Sequence, residues 1–340
     1  MADPGRPVVL LTGATGFVGS HLAPALDAAG WAVRCTSRDP ERARARDPQR
    51  EWVRLDLDDP LSLEPALAGC AAAVYLVHAM GGQGGAADGG DYPQRERREA
   101  LAFREAAERA GVRRAVYLGG VAPQGEPSRH LQSRLDTGET LRGGKLDVVE
   151  LRAAMVIGAG SASWLITRDL ARRLPVMLLP AWLGNHSWPV AIDDVVAGIL
   201  LALRPGSVLR GWYDLPGPER ISHRALLARV AGHMGRRPLM LGVPVVTPRL
   251  SSYWISLVTR AEPHLSSELV EGLSSDLDPR GVSLWSLAPP GLAPTPLDEA
   301  IRNALADEAR NERPSDPTLS RLLARAGLLA LPRPAPAPGR

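Results

Sequence analysis

The chain has 340 residues, a formal net charge of +3 and 45% hydrophobic residues, which suits one large α/β unit with an added lobe and excludes a chain too polar to fold. Its basic residues include a single lysine, Lys145, and its arginines alternate with acids, as in Arg95-Glu96-Arg97-Arg98-Glu99; such mixing reads as solvated helix faces and argues against a nucleic-acid-binding stripe. Cys35 and Cys70 are too few for a disulfide framework or a cysteine metal site, no apolar run reaches the ~18 residues of a membrane-spanning helix, and the start lacks a signal-peptide pattern, so a cytoplasmic protein is expected.

Val8-Val9-Leu10-Leu11 is a short apolar run that ends at a glycine turn, which predicts a buried parallel strand. Apolar residues at helical spacing over 17–29 (Val18, Leu22, Ala25, Leu26) predict a helix closed by Gly30. Further strands are expected at 31–36, 52–55, 71–77, 114–118 and 147–151, with helices near 61–68, 94–110 and 129–142. This alternation predicts an α/β fold, a doubly wound parallel sheet of Rossmann type, whose right-handed crossovers gather the strand C-termini along one edge.

Beyond residue 155 the pattern loosens. Short strands are expected at 176–179, 187–192 and 212–215. Asp193 or Asp194 is expected to cap a helix running to 203, another helix to cover 222–234, and 244–310 to be mostly helical between prolines. The domain reading is therefore a dinucleotide-binding core at 1–155 to which 187–218 returns, a smaller, mainly helical C-terminal substrate lobe from 156–186 and 219–310, and an extension at 311–340 with a proline-rich, disordered tail. Glycine-rich Gly81–Asp91 reads as a mobile loop over the site.

Chemistry concentrates first in Thr12-Gly13-Ala14-Thr15-Gly16-Phe17-Val18-Gly19. Gly13-x-x-Gly16-x-x-Gly19 follows a predicted strand and opens a predicted helix, the setting in which backbone N–H groups and a helix N-terminus hold a diphosphate. The second strand then runs into Ser37-Arg38-Asp39. Arg38 is placed to pair with the 2′-phosphate of NADP, while an acid gripping the ribose would favour NAD; Asp39, one step later, is read as the start of a turn. NADP is the favoured cofactor and NAD stays open. Asp56 and Leu57 follow the third strand, where an acid can bind the adenine amino group with Leu57 against the ring, or can simply make a turn. Val77 and His78 should pass beneath the adenine and near ribose, and Gly119 should approach the nicotinamide.

Thr12–Gly19, Asp56-Leu57, Tyr75-Leu76-Val77-His78 and Tyr117-Leu118-Gly119-Gly120 resemble the extended and atypical short-chain dehydrogenase/reductase superfamily. His130-Leu131-Gln132-Ser133-Arg134, Leu151-Arg152-Ala153-Ala154, Ile157–Ser163 and Thr247–Trp254 are similar to bacterial atypical members related to the NAD(P)-binding accessory subunit of respiratory complex I. The resemblance spans roughly residues 7–280 and implies a nicotinamide cofactor.

It also implies a Tyr-x-x-x-Lys pair on the helix after the fifth strand, which this chain cannot form. Lys145 is preceded at that spacing by Leu141, and the five tyrosines lie elsewhere. The helix offers His130-x-x-x-Arg134 instead. Either His130 replaces the tyrosine as proton donor and Arg134 the lysine, with Ser128 or Ser133 assisting, or His130 merely begins a helix and Arg134 faces solvent. Arg152, His186 and Trp188 are further candidates for a substrate pocket. The expected activity is NADP(H)-dependent reduction of a carbonyl, imine or activated C=C in a small, largely apolar molecule; the alternative is a non-catalytic NAD(P)H-binding redox sensor or assembly protein.

Overall fold

The computed structural model describes residues 5–78, 92–243, 272–273 and 275–311. Among them, seven parallel strands form the central sheet. In chain order these are β1 (Val8–Leu11), β2 (Ala32–Ser37), β3 (Glu51–Arg54), β4 (Cys70–Tyr75), β5 (Arg114–Gly120), β6 (Asp147–Ala153) and β11 (Gly211–Asp214), and they lie side by side as β11-β6-β5-β4-β1-β2-β3. The order reverses between β1 and β4, so the crevice of a doubly wound sheet opens at their C-terminal ends.

Period-two alternation divides the core. Val9 and Leu11 pack with Val33, Cys35, Val116, Val149 and Leu151 beneath α1 (Phe17–Ala28) and α7 (Ile192–Leu203). Leu10, Ala73, Tyr75, Tyr117 and Val148 face the opposite way, against α3 (Leu63–Leu67), α4 (Tyr92–Arg109) and α5 (Arg129–Arg142). Both faces of the central strands β1, β4 and β5 are therefore buried, which is why these read as near-continuous apolar runs. Alpha-helix α2 (Pro40–Arg46) connects β2 to β3.

After β6 come β7 (Val156–Ile157), α6 (Ala162–Arg173), β8 (Val176–Pro180), β9 (His186–Ser187) and β10 (Val190–Ala191). Later elements are β12 (Ile221–Ser222), α8 (His223–His233), β13 (Leu239–Val243) and α9 (Leu297–Asn311). A separate cluster of Ile157, Trp164, Leu226, Val230, Leu297 and Ile301 holds α6, α8 and α9 together.

Three expectations are corrected. The strand expected at 187–192 is two short ones, β9 and β10, split at Pro189, which has no N–H to donate to a ladder. Neither Asp193 nor Asp194 caps α7; the N-cap is Ala191, both acids sit in the first turn, and Asp194 accepts from Thr295 N (2.9 Å) and Thr295 Oγ1 (2.7 Å). Within 244–310, the described stretch 275–296 holds only a short 3-10 turn at Leu284–Leu287 before α9 begins. The loop at 81–91, the stretch 244–271 and the tail beyond 311 lie outside the described residues. No helix among the described residues is long and apolar enough to cross a membrane.

Candidate functional site

The glycine turn joins β1 to α1 at the reversal point. Gly13 has φ +63°, a conformation that disfavours any side chain, and a β-carbon there would approach Leu76 Cβ to 3.2 Å. Gly19 lies in the first turn of α1, where a β-carbon would stand 2.3 Å from Gly13 O. The N-cap, Gly16, supplies no side-chain hydrogen bond, and the first helical turn contains no acid. The first amides of α1 have no intrahelical acceptor, and Thr15 and Gly16 form an exposed tip. These features fit an anionic diphosphate: amides aimed outward, a helix dipole behind them and no competing carboxylate.

Thr12, Phe17 and Val18 act from behind this cradle. Thr12 is fully buried; its Oγ1 donates to Val74 O (3.2 Å) and accepts from Leu76 N (2.9 Å), fastening the end of β1 to the end of β4. That stapling role was not legible in the sequence. The Phe17 ring packs beside Gly158, where a β-carbon would come within 2.8 Å of it, and Val18 packs on the core, so both offer a ligand their backbone. His21 is structural: its Nδ1 lies 2.9 Å from Phe17 O.

At the end of β2, Asp39 accepts from Arg42 N (3.0 Å) as the N-cap of α2. Arg38 beside it is exposed, with no ion pair among the described residues. Asp56 serves a turn, its carboxylate accepting from Asp58 N (3.3 Å) and its amide donating to Ser62 Oγ (2.9 Å). Leu57 is buried in the core with Leu10 and Leu63. Val77 packs on the same core, and His78 follows it with an exposed edge.

His130 and Arg134 come together on α5, which leans on the end of β5: a β-carbon on Gly120 would meet Leu131 Cδ2 at 3.3 Å and Arg134 Cβ at 3.9 Å. Arg134 does not face solvent. Its Nη2 donates to Leu118 O (2.5 Å), and its guanidinium lies 5.6 Å from the centroid of the Tyr117 ring. Burial and the Arg134 charge lower the His130 pKa to about 3, and Nδ1 of His130 is buried without a hydrogen bond among the described residues. The His130 imidazole is therefore neutral near pH 7, beside the Arg134 guanidinium.

The other nearby polar groups are already engaged. Ser128 caps α5 by accepting from Leu131 N (3.3 Å), and buried Ser133 donates to Glu96 of α4, so neither assists His130. Tyr117 Oη donates to Arg134 O (3.1 Å), and burial raises its pKa to about 12, so it does not stand in for a catalytic tyrosine. Arg152 is turned inward. It binds Glu150 Oε1 (2.8 Å) and lies 4.0 Å from the Trp212 ring centroid. His186 and Trp188 are tied to Asp276 and Asp278, His186 N donating at 2.6 Å and Trp188 Nε1 at 3.0 Å. Gly119 has no room for a side chain, since a β-carbon would meet Glu150 Oε1 at 3.0 Å. Its backbone is what it can present.

A doubly wound sheet with a glycine cradle at its reversal point defines a Rossmann-type dinucleotide-binding protein. Residues 13–159 match a family described as NAD(P)H-binding. The chain accordingly carries an NAD(P)H-binding domain over that stretch. It is 27% identical over 250 residues to a ceramide reductase of Caulobacter vibrioides, covering 72% of this chain and 76% of that protein. The fold is similar to the triphenylmethane reductase of a Citrobacter species complexed with NADP(H), with a TM-score of 0.65 and 19% identity over 87% of this chain and 99% of that one. It is also similar to MoeE5 in complex with UDP-glucose and NAD, with a TM-score of 0.63 and 19% identity over 89% and 99% of the two chains.

Proposed function

We propose that the protein is an NADP(H)-dependent oxidoreductase that reduces a carbonyl, imine or activated C=C in a small, largely apolar molecule. The observation that carries this reading is the pairing of a neutral His130 with a charged Arg134 beside the C-terminal end of β5, on the sheet edge that also bears the glycine cradle. When bound, the nicotinamide supplies the hydride.

The protein's own groups then have distinct tasks. Amides of the Gly13–Gly19 turn, apart from that of Gly16, which donates to Gly13 O (2.9 Å), hold the diphosphate, and exposed Arg38 takes the 2′-phosphate, because Asp39 is committed to its helix cap. His130, neutral at working pH, donates a hydrogen bond from its ring to the substrate oxygen or nitrogen that gains electron density; a neutral imidazole can act in this way. Arg134 offsets the developing negative charge and stays protonated throughout. The proton comes from solvent. The names of the two reductases above support reduction, and the ceramide reductase supports an apolar substrate.

A second reading, a non-catalytic NAD(P)H sensor or assembly protein, is favoured by one observation: Arg134 already donates to Leu118 O. The two separate on NADPH oxidation measured against long-chain ketones, enones and imines, with His130→Ala in parallel. Turnover that collapses in the variant supports the enzyme. Tight NADPH binding with no turnover on any substrate overturns it in favour of the sensor.

A further inference from the structure

Strands β8 and β13 form a two-stranded parallel sheet, with Val176 opposite Leu239 and Leu178 opposite Leu241. One face is anchored: Met177, Leu179 and Met240 pack on Leu174 and Leu227. The other presents four aliphatic side chains to solvent, Val176 at 46% exposure, Leu178 at 65%, Leu239 at 57% and Leu241 at 44%. Alternation thus places apolar residues on both faces where an ordinary surface strand would turn polar residues outward. A contiguous aliphatic surface of this kind marks an interaction site.

Exposed basic residues flank it. Because the strands are parallel, the residues preceding each lie at the same end, which puts Arg172-Arg173 and Arg236-Arg237 at that end, with Arg173 paired to buried Asp169 (3.4 Å). Arg237 is exposed, and exposed Arg224 reaches the strand itself, donating to Met240 O (3.4 Å). The strands and the turns leading into them (170–192 and 220–243) contain no aspartate or glutamate, and the acids at their borders, Asp169 and Glu219, are paired with Arg173 and Arg229. A second copy of this face would bring no acid to meet these arginines. Aliphatic side chains flanked by arginine suit a surface that is apolar within and anionic at its rim, which describes a bilayer containing acidic lipids.

We infer that the β8–β13 face docks the protein peripherally on anionic membranes. Val176, Leu178, Leu239 and Leu241 enter the headgroup–acyl boundary while Arg237 and Arg224 meet lipid phosphates. This inference does not depend on the redox reading.

The test is sedimentation of the full-length protein with vesicles of phosphatidylcholine alone or mixed with phosphatidylglycerol. Binding to the mixed vesicles, weakened by salt, is expected. Leu178→Glu with Leu241→Glu should reduce it more than about tenfold, and Arg237→Glu about fivefold or more, since one basic residue near such a surface contributes about 1 kcal/mol. These side chains are exposed, and unchanged NADPH affinity in the variants verifies that they fold. No vesicle binding overturns the inference, as does binding the variants leave unaltered. A concentration-dependent dimer abolished by the leucine substitutions also overturns it, assigning the face to a second copy. Capture of an acidic peptide by a protein indifferent to vesicles overturns it in favour of a protein partner.

Discussion

The carbonyl oxygen of Gly13 occupies the space that a side chain on Gly19 would need: a β-carbon there would sit 2.3 Å away, with Ala14 Cα at 2.7 Å. Helix and turn are in backbone contact, and relief requires the cradle to open. We expect Gly19→Ala to weaken binding of NADPH and NADH alike by at least about tenfold and to cost about 1–3 kcal/mol of stability from overpacking. Calorimetric titration with each nucleotide checks this. Unaltered affinity would mean that the diphosphate is not held here.

Arg38 and Asp39 are neighbours with different obligations, and the cofactor preference follows from that. Asp39 is spent on Arg42 N, while Arg38 has no ion pair among the described residues. Arg38→Ala should reduce NADPH affinity about tenfold, the loss of one charge-assisted hydrogen bond, and leave NADH affinity alone. Asp39→Ala should cost about 1 kcal/mol as a lost helix cap and alter neither preference. Equal weakening for both nucleotides in Arg38→Ala would rule out a 2′-phosphate contact.

What was legible in the chain is what local chemistry dictates. The strand-turn-helix at 8–28 follows from an apolar run, three glycines and helical spacing, and α5 was bounded at 129–142 as observed. The turn role of Asp39 was also readable. The position of Arg152 was not, because its partner ring, Trp212, is 60 residues away and reaches it only through the pairing of β11 with β6. Nor was the neutrality of His130. The unperturbed pKa that a sequence suggests for a histidine is lowered here by burial and by a guanidinium whose direction is set by the Leu118 carbonyl.

That neutrality has a kinetic signature. With the His130 pKa near 3, no limb of the pH–rate profile between pH 5 and 8 should belong to it. We expect kcat/KM to be flat across that range for wild type, and His130→Ala to lower kcat about 10²-fold or more, as loss of an oxyanion-stabilising donor does. An acid limb near pH 6.5 that disappears in the variant would restore the protonated-donor mechanism.

Stability should depend on pH in two opposing ways. His130 falls from 6.5 to about 3 on folding, so only the unfolded chain takes up its proton between those values, and stability declines as pH drops through that window. Glu99 is raised by burial from 4.5 to about 7, so the folded protein holds that proton more tightly. Its contribution is full below 4.5 and is lost as pH rises through 7. Glu99→Gln should therefore show a Tm advantage over wild type that grows from pH 5 to pH 8. A constant difference across that range would mean that Glu99 does not titrate there.

Glu150 makes the most consequential buried contact beneath the site. It is fully buried, bridged to Arg142 and Arg152, and its carboxylate fills the space left by two glycines: a β-carbon on Gly138 would fall 2.4 Å from Oε2, and one on Gly119 3.0 Å from Oε1. Gly138 is on α5 and Gly119 on β5, so one side chain spaces the helix that carries His130 and Arg134 from the strand whose end they face. Removing the carboxylate strands two cations, and breaking a buried pair in that way costs about 3–5 kcal/mol. Glu150→Ala should unfold at markedly lower denaturant; Glu150→Gln, which keeps the shape but not the charge, should also lose stability while retaining the α5–β5 spacing. Gly138→Ala should mimic the alanine variant without touching a charge, because it drives the carboxylate out of its slot. If Gly138→Ala were as stable as wild type, Glu150 would not be what sets the seat of α5, and the position of His130 would need another cause.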